Sequence, residues 1–425
     1  MNTSPSRMKQ VRSVAIVSSG NFLEMYDFMV FGYYAPAIAK AFFPSGSDFN
    51  GLMLTLMTFG AGFLMRPVGA IVLGAWVDKH GRRKGLILTL ALMALGTMTI
   101  AATPGYAQIG VAAPLLILLG RLIQGLSAGV EVGGVSVYLS EIATPGRKGF
   151  YVAWQSASQQ LAVLFAAGVG LFLNSRFSPD EMAAWGWRIP FIIGCLLVPF
   201  LLFIRRRLEE TPAFLARTER PHLHEVFRTV AANYSLVLRG MMIAVMTTVF
   251  FYAITAYTPT YGAKVLKLSA ADGFLVTFFV GLTNFIMLPI AGAISDRVGR
   301  KPLLVGAALI GLFSAYPMMS WLVGDPSFGR LMTVQIFFAL VYATYNGAMI
   351  VFLTEIMPAH VRTAGFALAY SLATALFGGF TPAISTYLIH VTGDRAIPGA
   401  WLSFAALLAL LSALSFRGRG RAVET

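Results

Sequence analysis

Six side chains in this sequence carry charge or hydrogen-bonding power that is out of keeping with their neighbours. Glu24 and Asp27 lie in Gly20-Asn21-Phe22-Leu23-Glu24-Met25-Tyr26-Asp27-Phe28. Arg66 directly precedes Pro67 in an apolar run, and Arg121, Gln124 and Glu131 follow one another through a stretch rich in Gly and Leu. Such groups suit two kinds of chemistry. An arginine offers a planar fork that matches a carboxylate with two hydrogen bonds, so it can grip an organic anion. A carboxyl in a medium of low dielectric favours its neutral form, and a nearby arginine reverses that preference. A carboxyl whose cation comes and goes can therefore carry a proton. Glu24 and Asp27 are three residues apart and share one face of a helix. Arg121, Gln124, Ala128 and Glu131 fall within an arc of about 80° at 100° per residue.

These residues are read as follows. Arg121 is the expected anchor for an anionic substrate, with Gln124 beside it. The alternative is a structural pair with Glu131 or Glu24. Arg66 is either a second cation for the substrate or the neutralising partner of Glu24 or Asp27. Glu24, Asp27 and Glu131 are the expected proton-coupling acids, against the alternative of permanent ion pairs that tie helices together. Gln155, Ser156, Ser158 and Gln159 form a polar patch, with Gln155 and Gln159 one helical turn apart. They can bond carboxylate or hydroxyl oxygens, or only a neighbouring helix. The second half of the chain offers Tyr252, Tyr342, Tyr345, Asn284, Asn346 and Ser371 but no Lys or Arg near the middle of its apolar runs. Tyr342, Asn346 and Ser371 are the expected substrate contacts there. No catalytic triad, phosphate loop or cluster of metal ligands is visible, so neither an enzyme nor a metal or organic cofactor is expected.

The elements that position these groups follow from composition. The 425 residues are 57% hydrophobic and 12% charged, about half the charged fraction of a soluble domain. The bilayer must therefore be the solvent for most of the chain. Twelve apolar runs are long enough to span hydrocarbon, at roughly 13–40, 51–77, 85–104, 111–140, 150–174, 187–205, 235–262, 271–295, 302–323, 330–356, 363–391 and 398–416. The net charge of +14 does not indicate nucleic-acid binding, because the basic residues sit in short loops between the runs. Most of them fall on one side, which also holds both termini. The other side has only Lys40, Arg176, Arg188, Lys264, Lys267, Arg330 and Arg395. That asymmetry places both termini in the cytoplasm of a multi-pass plasma-membrane protein, in a bacterium the inner membrane. A single cysteine, Cys195, excludes an internal disulfide.

The chain also repeats itself. Gly74-Ala75-Trp76-Val77-Asp78-Lys79-His80-Gly81-Arg82-Arg83-Lys84 returns as Gly292-Ala293-Ile294-Ser295-Asp296-Arg297-Val298-Gly299-Arg300-Lys301, and Leu139-Ser140-Glu141-Ile142 returns as Leu353-Thr354-Glu355-Ile356. A duplicated layout divides the chain into 1–207, a cytoplasmic linker 208–234, and 235–425. Each half then holds six spans, as in many secondary transporters.

This layout, with the GxxxDxxGRRK-type loop after spans two and eight, resembles the major facilitator superfamily. Arg66-Pro67-Val68-Gly69, Gly120-Arg121-Leu122-Ile123-Gln124-Gly125, Glu131-Val132-Gly133-Gly134 and Trp185-Gly186-Trp187-Arg188-Ile189-Pro190 resemble its metabolite:proton symporter family. The run from Tyr138 to Gln160 and Phe377-Gly378-Gly379-Phe380-Thr381-Pro382 are most similar to the branch of citrate–proton and tricarballylate symporters. The resemblance implies an all-α membrane fold with two pseudo-symmetric six-helix halves that rock about a central site. It implies uptake of citrate or a close tricarboxylate with H⁺, as a monomer. Na⁺ coupling, a dicarboxylate and a zwitterionic osmolyte remain the alternatives. It also implies that Asp78, Arg82, Glu141, Asp296, Arg300 and Glu355 pair across helix ends and hold the cytoplasmic side shut.

Overall fold

The computed structural model of the chain describes residues 20–129, 131–206, 228, 231–358 and 362–416. Every regular element among them is helical. In the first half, α1 runs Gly20–Tyr33 and continues as Ala35–Phe42. Then come α2 (Asp48–His80), α3 (Arg82–Ala102), α4 (Ala112–Ala128 with Glu131–Ile142), α5 (Lys148–Arg176) and α6 (Arg188–Arg206). The second half holds α7 (Tyr234–Ile254), α8 (Ala270–Val298), α9 (Arg300–Gly324), α10 (Phe328–Ile356), α11 (Arg362–Ala373 with Thr381–Thr392) and α12 (Pro398–Ser415).

Nine helical spans are long and apolar enough to cross a membrane among the described residues, and the bent pair Pro179–Gly186 and Arg188–Phe200 makes a tenth. The other two are α1, whose expected start at 13–19 lies outside the described residues, and α3. Only Ile87–Ala102 of α3 is apolar, because its first turn is Arg82-Arg83-Lys84. Most of the expected linker 208–234 also lies outside the described residues.

Two spans differ from the continuous helices expected of them. The seventh stops at Ile254 and resumes only as short turns over Thr258–Thr260 and Tyr261–Val265. Pro259 opens that second segment, where a missing N–H costs nothing. The eleventh passes through a wide turn at Thr374–Gly378, and Pro382 opens the helix beyond it. By contrast, Pro289 and Pro317 lie inside uninterrupted helices.

Packing repeats between the halves: α2 on α4 matches α8 on α10, α3 on α6 matches α9 on α12, and α1 on α5 matches α7 on α11. The halves meet chiefly where α5 runs along α8, and where α11 lies on α2 and on the last part of α4. Backbone contact at glycines sets these approaches. A Cβ on Gly125 of α4 would overlap the Gly62 carbonyl of α2, and one on Gly149 of α5 would overlap the Gly292 carbonyl of α8. The most apolar stretch of α10 is 78% buried, and that of α9 only 33%. α10 is therefore central and α9 peripheral. Phe313, Leu196 and Phe200 face outward, as hydrocarbon-facing side chains do.

Candidate functional site

The buried charged residues among those described are Glu24, Asp27, Arg66 and Arg121, each at most 3% exposed. All four come from the first half. Arg66 of α2 donates from Nη2 to Glu24 Oε1 of α1 at 2.7 Å. Removing one member of such a pair costs about 3–5 kcal/mol, because the other charge is left without compensation. Arg121 of α4 donates to Gln124 Oε1 at 2.8 Å and to the Phe59 carbonyl at 3.3 Å. Gln124 Nε2 donates to Thr97 Oγ1 at 3.1 Å, and the Thr97 hydroxyl in turn bonds Asp27 Oδ2. Asp27 is therefore linked to Arg121 through two neutral side chains, and the two charges interact. Asp27 Oδ1 has no hydrogen-bond partner. Gly194 of α6 makes room for it, since a Cβ there would lie 2.8 Å from Oδ1.

Sequence reasoning anticipated these four charges and Gln124, but not how they pair. In this structure Arg66 is paired with Glu24. Thr97 escaped notice because a threonine that bonds back to a carbonyl of its own helix, here Met93 at 2.9 Å, is ordinary in a membrane span. The side chain of Glu131 lies outside the described residues.

The arginines are packed among aromatic rings. The Arg121 guanidinium carbon is 4.4 Å from the Phe28 ring centre, 4.7 Å from Phe31, 5.1 Å from Phe59 and 5.8 Å from Phe63. That of Arg66 is 4.9 Å from Phe28 and 4.8 Å from Phe63. A desolvated cation–ring contact contributes about 2 kcal/mol. The one-dimensional signal for this shell was Phe63 three residues before Arg66, on the same helix face, but aromatic residues in apolar helices usually serve packing.

The second half supplies neutral polar groups. The Tyr252 ring of α7 meets Phe63 at 5.0 Å and Phe59 at 5.9 Å, within electrostatic reach of Arg66, Glu24, Arg121 and Tyr370. Tyr370 of α11 also feels Arg66 and Glu24, and Tyr342 feels Tyr370 and Tyr252. Asn346 donates from Nδ2 to the Tyr342 hydroxyl at 3.2 Å, and its Oδ1 is buried without a partner. Tyr342 and Asn346 were expected here. Tyr252 was noted as a polar group but not among the expected contacts, and Tyr370 was missed. Ser371 is buried next to Tyr370. Tyr345 turns away to the Ile243 carbonyl at 2.8 Å. On α5, Gln155 and Gln159 are both buried. Gln155 Oε1 accepts from Ser156 at 2.9 Å, and its Nε2 has no partner. Gln160, not singled out from sequence, accepts from Asn284 of α8 at 3.5 Å.

Among the described residues, contacts bridge the two halves at both ends of this core. At the end bearing the repeated loops, Asp296 caps α5. Its Oδ1 accepts from the Gly149 N–H at 2.7 Å and its Oδ2 from the Phe150 N–H at 3.0 Å, where the helix terminus favours an anion. Arg300 pairs with Asp296 at 2.7 Å and with Glu355 at 3.2 Å. Asp296, Arg300 and Glu355 thus lie together at this end. Glu141 is exposed, and the side chains of Asp78 and Arg82 lie outside the described residues. At the opposite end, Phe49 stacks on His390 at 3.8 Å, Tyr33 meets Phe274 edge-on at 5.5 Å, and Thr260 reaches the Gly32 carbonyl at 3.5 Å.

A helical bundle of paired halves around a buried site of fixed charges is the design of a secondary transporter, and the Major Facilitator Superfamily profile matches residues 17–370. The chain belongs to that superfamily. It is 57% identical over 405 residues to a citrate-proton symporter of Salmonella typhi, covering 95% of this chain and 93% of that protein. It is 56% identical over 417 residues to a citrate-proton symporter of Klebsiella pneumoniae, covering 97% and 94%. The fold is similar to that of the E. coli xylose transporter XylE in a partially occluded inward open conformation, with a TM-score of 0.76 at 18% identity over 96% of this chain and 98% of that one. The chain is a multi-pass membrane transporter and not an enzyme.

Proposed function

We propose that this transporter imports citrate or a closely related tricarboxylate together with protons, by alternating access between its two halves. The observation that carries the reading is the fully buried Arg121, linked through Gln124 and Thr97 to Asp27. With both carboxylates ionised, two acids balance two arginines. Desolvation favours a neutral carboxyl unless cations or donors answer its charge. Asp27 has one oxygen without a donor and no cation at hydrogen-bond distance, whereas Glu24 is held by Arg66. We therefore assign the transported proton to Asp27. When Asp27 takes up a proton, Arg121 is left with uncompensated positive charge, and a substrate carboxylate answers it. Proton and anion thus favour each other's binding, which is the coupling a symporter needs.

In this reading Arg121 anchors the substrate, with Arg66 as a second cation once Glu24 releases it. Gln124, Gln155, Gln159, Tyr342, Asn346 and Ser371 complete the polar lining, and Glu131 is a further candidate for proton coupling. Asp296, Arg300 and Glu355, with Asp78, Arg82 and Glu141 as their first-half counterparts, hold the cytoplasmic end shut while the site faces outward. The chain sits in a bacterial inner membrane with both termini inside, as halves 1–207 and 235–425 joined by 208–234. It acts as a monomer, because one chain encloses the whole site. The names of the two citrate-proton symporters, both highly similar over nearly the whole chain, support the substrate and the coupling ion.

Uptake of labelled citrate into proteoliposomes tests this, with the pH gradient and Na⁺ varied independently and unlabelled tricarballylate as competitor. Accumulation driven by an acid exterior without Na⁺ is expected. Dependence on Na⁺, or no citrate signal under any gradient, would overturn it.

A further inference from the structure

Phe28 and Phe63 do more than fill space. Their rings stack on each other at 4.5 Å, and both guanidiniums lie against both rings, Arg66 at 4.9 and 4.8 Å and Arg121 at 4.4 and 5.8 Å. Phe63 also reaches the other half of the molecule. Its ring meets Tyr252 at 5.0 Å, and Gly379 of α11 packs so closely on it that a Cβ there would overlap the ring. The same pair of rings therefore touches the two buried cations and, through Phe63, the facing half, in a form whose halves are in contact at both ends.

That arrangement satisfies the arginines from within. A ring face attracts a cation through its quadrupole while carrying no net charge. The two acids of the core balance the two arginines, so no foreign anion is needed to neutralise them in this form. In the loaded carrier the anion itself answers the two cations at their N–H edges, so the hold of the rings on the guanidinium faces counts most when no anion is bound.

We propose that Phe28 and Phe63 are positioning residues that hold the two guanidiniums while the carrier crosses between its faces without cargo. The proposal rests on the citrate–proton symport reading. Net uptake requires the return of the unloaded carrier in every cycle. Exchange of internal for external citrate does not, since the loaded form can cross both ways. Loss of a ring should therefore slow one process and spare the other, whereas a residue that merely supports the fold would slow both.

Phe28→Leu and Phe63→Leu are reconstituted beside wild type, with Phe28→Tyr and Phe63→Tyr as variants that keep the ring. Labelled citrate is followed in two ways: net uptake under an inward proton gradient, and exchange against internal unlabelled citrate. In the Leu variants net uptake is expected to fall roughly thirtyfold, the effect of losing one desolvated cation–ring contact. Exchange is expected to stay within about twofold of wild type. The Tyr variants are expected to restore net uptake. Should a Leu variant fail to elute as a folded protein, Phe→Met at the same position takes its place. A parallel fall of both rates, or unchanged net uptake, overturns the proposal. Failure of the wild type itself to exchange citrate would overturn the symport reading, and this proposal with it.

Discussion

The two halves pack by the same plan and differ in chemistry. Among the described residues, charge in the buried core is confined to α1, α2 and α4, as Glu24, Asp27, Arg66 and Arg121. In α7, α10 and α11 the buried core presents Tyr252, Tyr342, Asn346 and Tyr370, which can hydrogen-bond but carry no charge. Duplication preserved what packing requires: glycine contacts between helices and charged loops at their ends. It did not preserve the site. An anion and a proton need fixed charges at one place, and a second set of buried ions would have to be desolvated as well, at several kcal/mol per ion. In the proposed mechanism the division follows: the first half sets the charge balance, and the second half faces it with groups that sense shape and hydroxyls.

The most damaging change should be at Arg121. Arg121→Lys keeps the charge but not the planar fork that reaches Gln124 and the Phe59 carbonyl together. We expect citrate affinity to fall by about 100-fold or more, the effect of losing an interaction of about 3 kcal/mol. Calorimetric titration of the folded variant with citrate checks this, and retained affinity would place the anchor elsewhere. Asp27→Asn and Glu24→Gln come next, and they separate the two acids. Asp27→Asn should abolish accumulation against a gradient while leaving citrate exchange measurable and insensitive to pH. Glu24→Gln strips Arg66 of its ion pair and should weaken binding and stability, yet keep uptake that rises as the external pH falls. If Glu24→Gln loses accumulation while Asp27→Asn keeps it, the proton belongs to Glu24.

How far these assignments could be read in one dimension depended on the kind of signal. A charge in an apolar run stands out by itself, so Glu24, Asp27, Arg66 and Arg121 were visible. The repeat of Asp78 and Asp296 at matching span ends was visible for the same reason, and with the apolar runs it gave the two-half architecture. Partnerships were not visible. Glu24 and Arg66 are 42 positions apart and Thr97 and Asp27 are 70 apart; nothing local to either residue marks the other. Tyr370 and the phenylalanines around the arginines were hidden by their own ordinariness, since aromatic side chains are expected in apolar helices. The breaks in α11 and in the seventh span went unread because the hydropathy of a span continues through them. Only the backbone, turning wide before Pro382 and short before Pro259, reveals them.

The smallest expected effect tests the second half. Asn346 is 1% exposed and sits on the most buried span. It donates to the Tyr342 hydroxyl, and its Oδ1 has no donor. A buried acceptor without a donor is costly, about 1–3 kcal/mol, and such a cost is relieved when a ligand brings the missing hydrogen. Citrate carries a hydroxyl beside its three carboxyl groups, and tricarballylate has the same three carboxyl groups without it. If Asn346 Oδ1 accepts that hydroxyl, Asn346→Leu should weaken citrate about fivefold to tenfold, the effect of one neutral hydrogen bond. Tricarballylate should be unaffected or bind slightly better, because it no longer leaves a polar atom unmet. Competition of each compound against labelled citrate gives the ratio. A ratio unchanged from wild type would remove Asn346 from substrate recognition, and would leave discrimination between the two anions to the charged half alone.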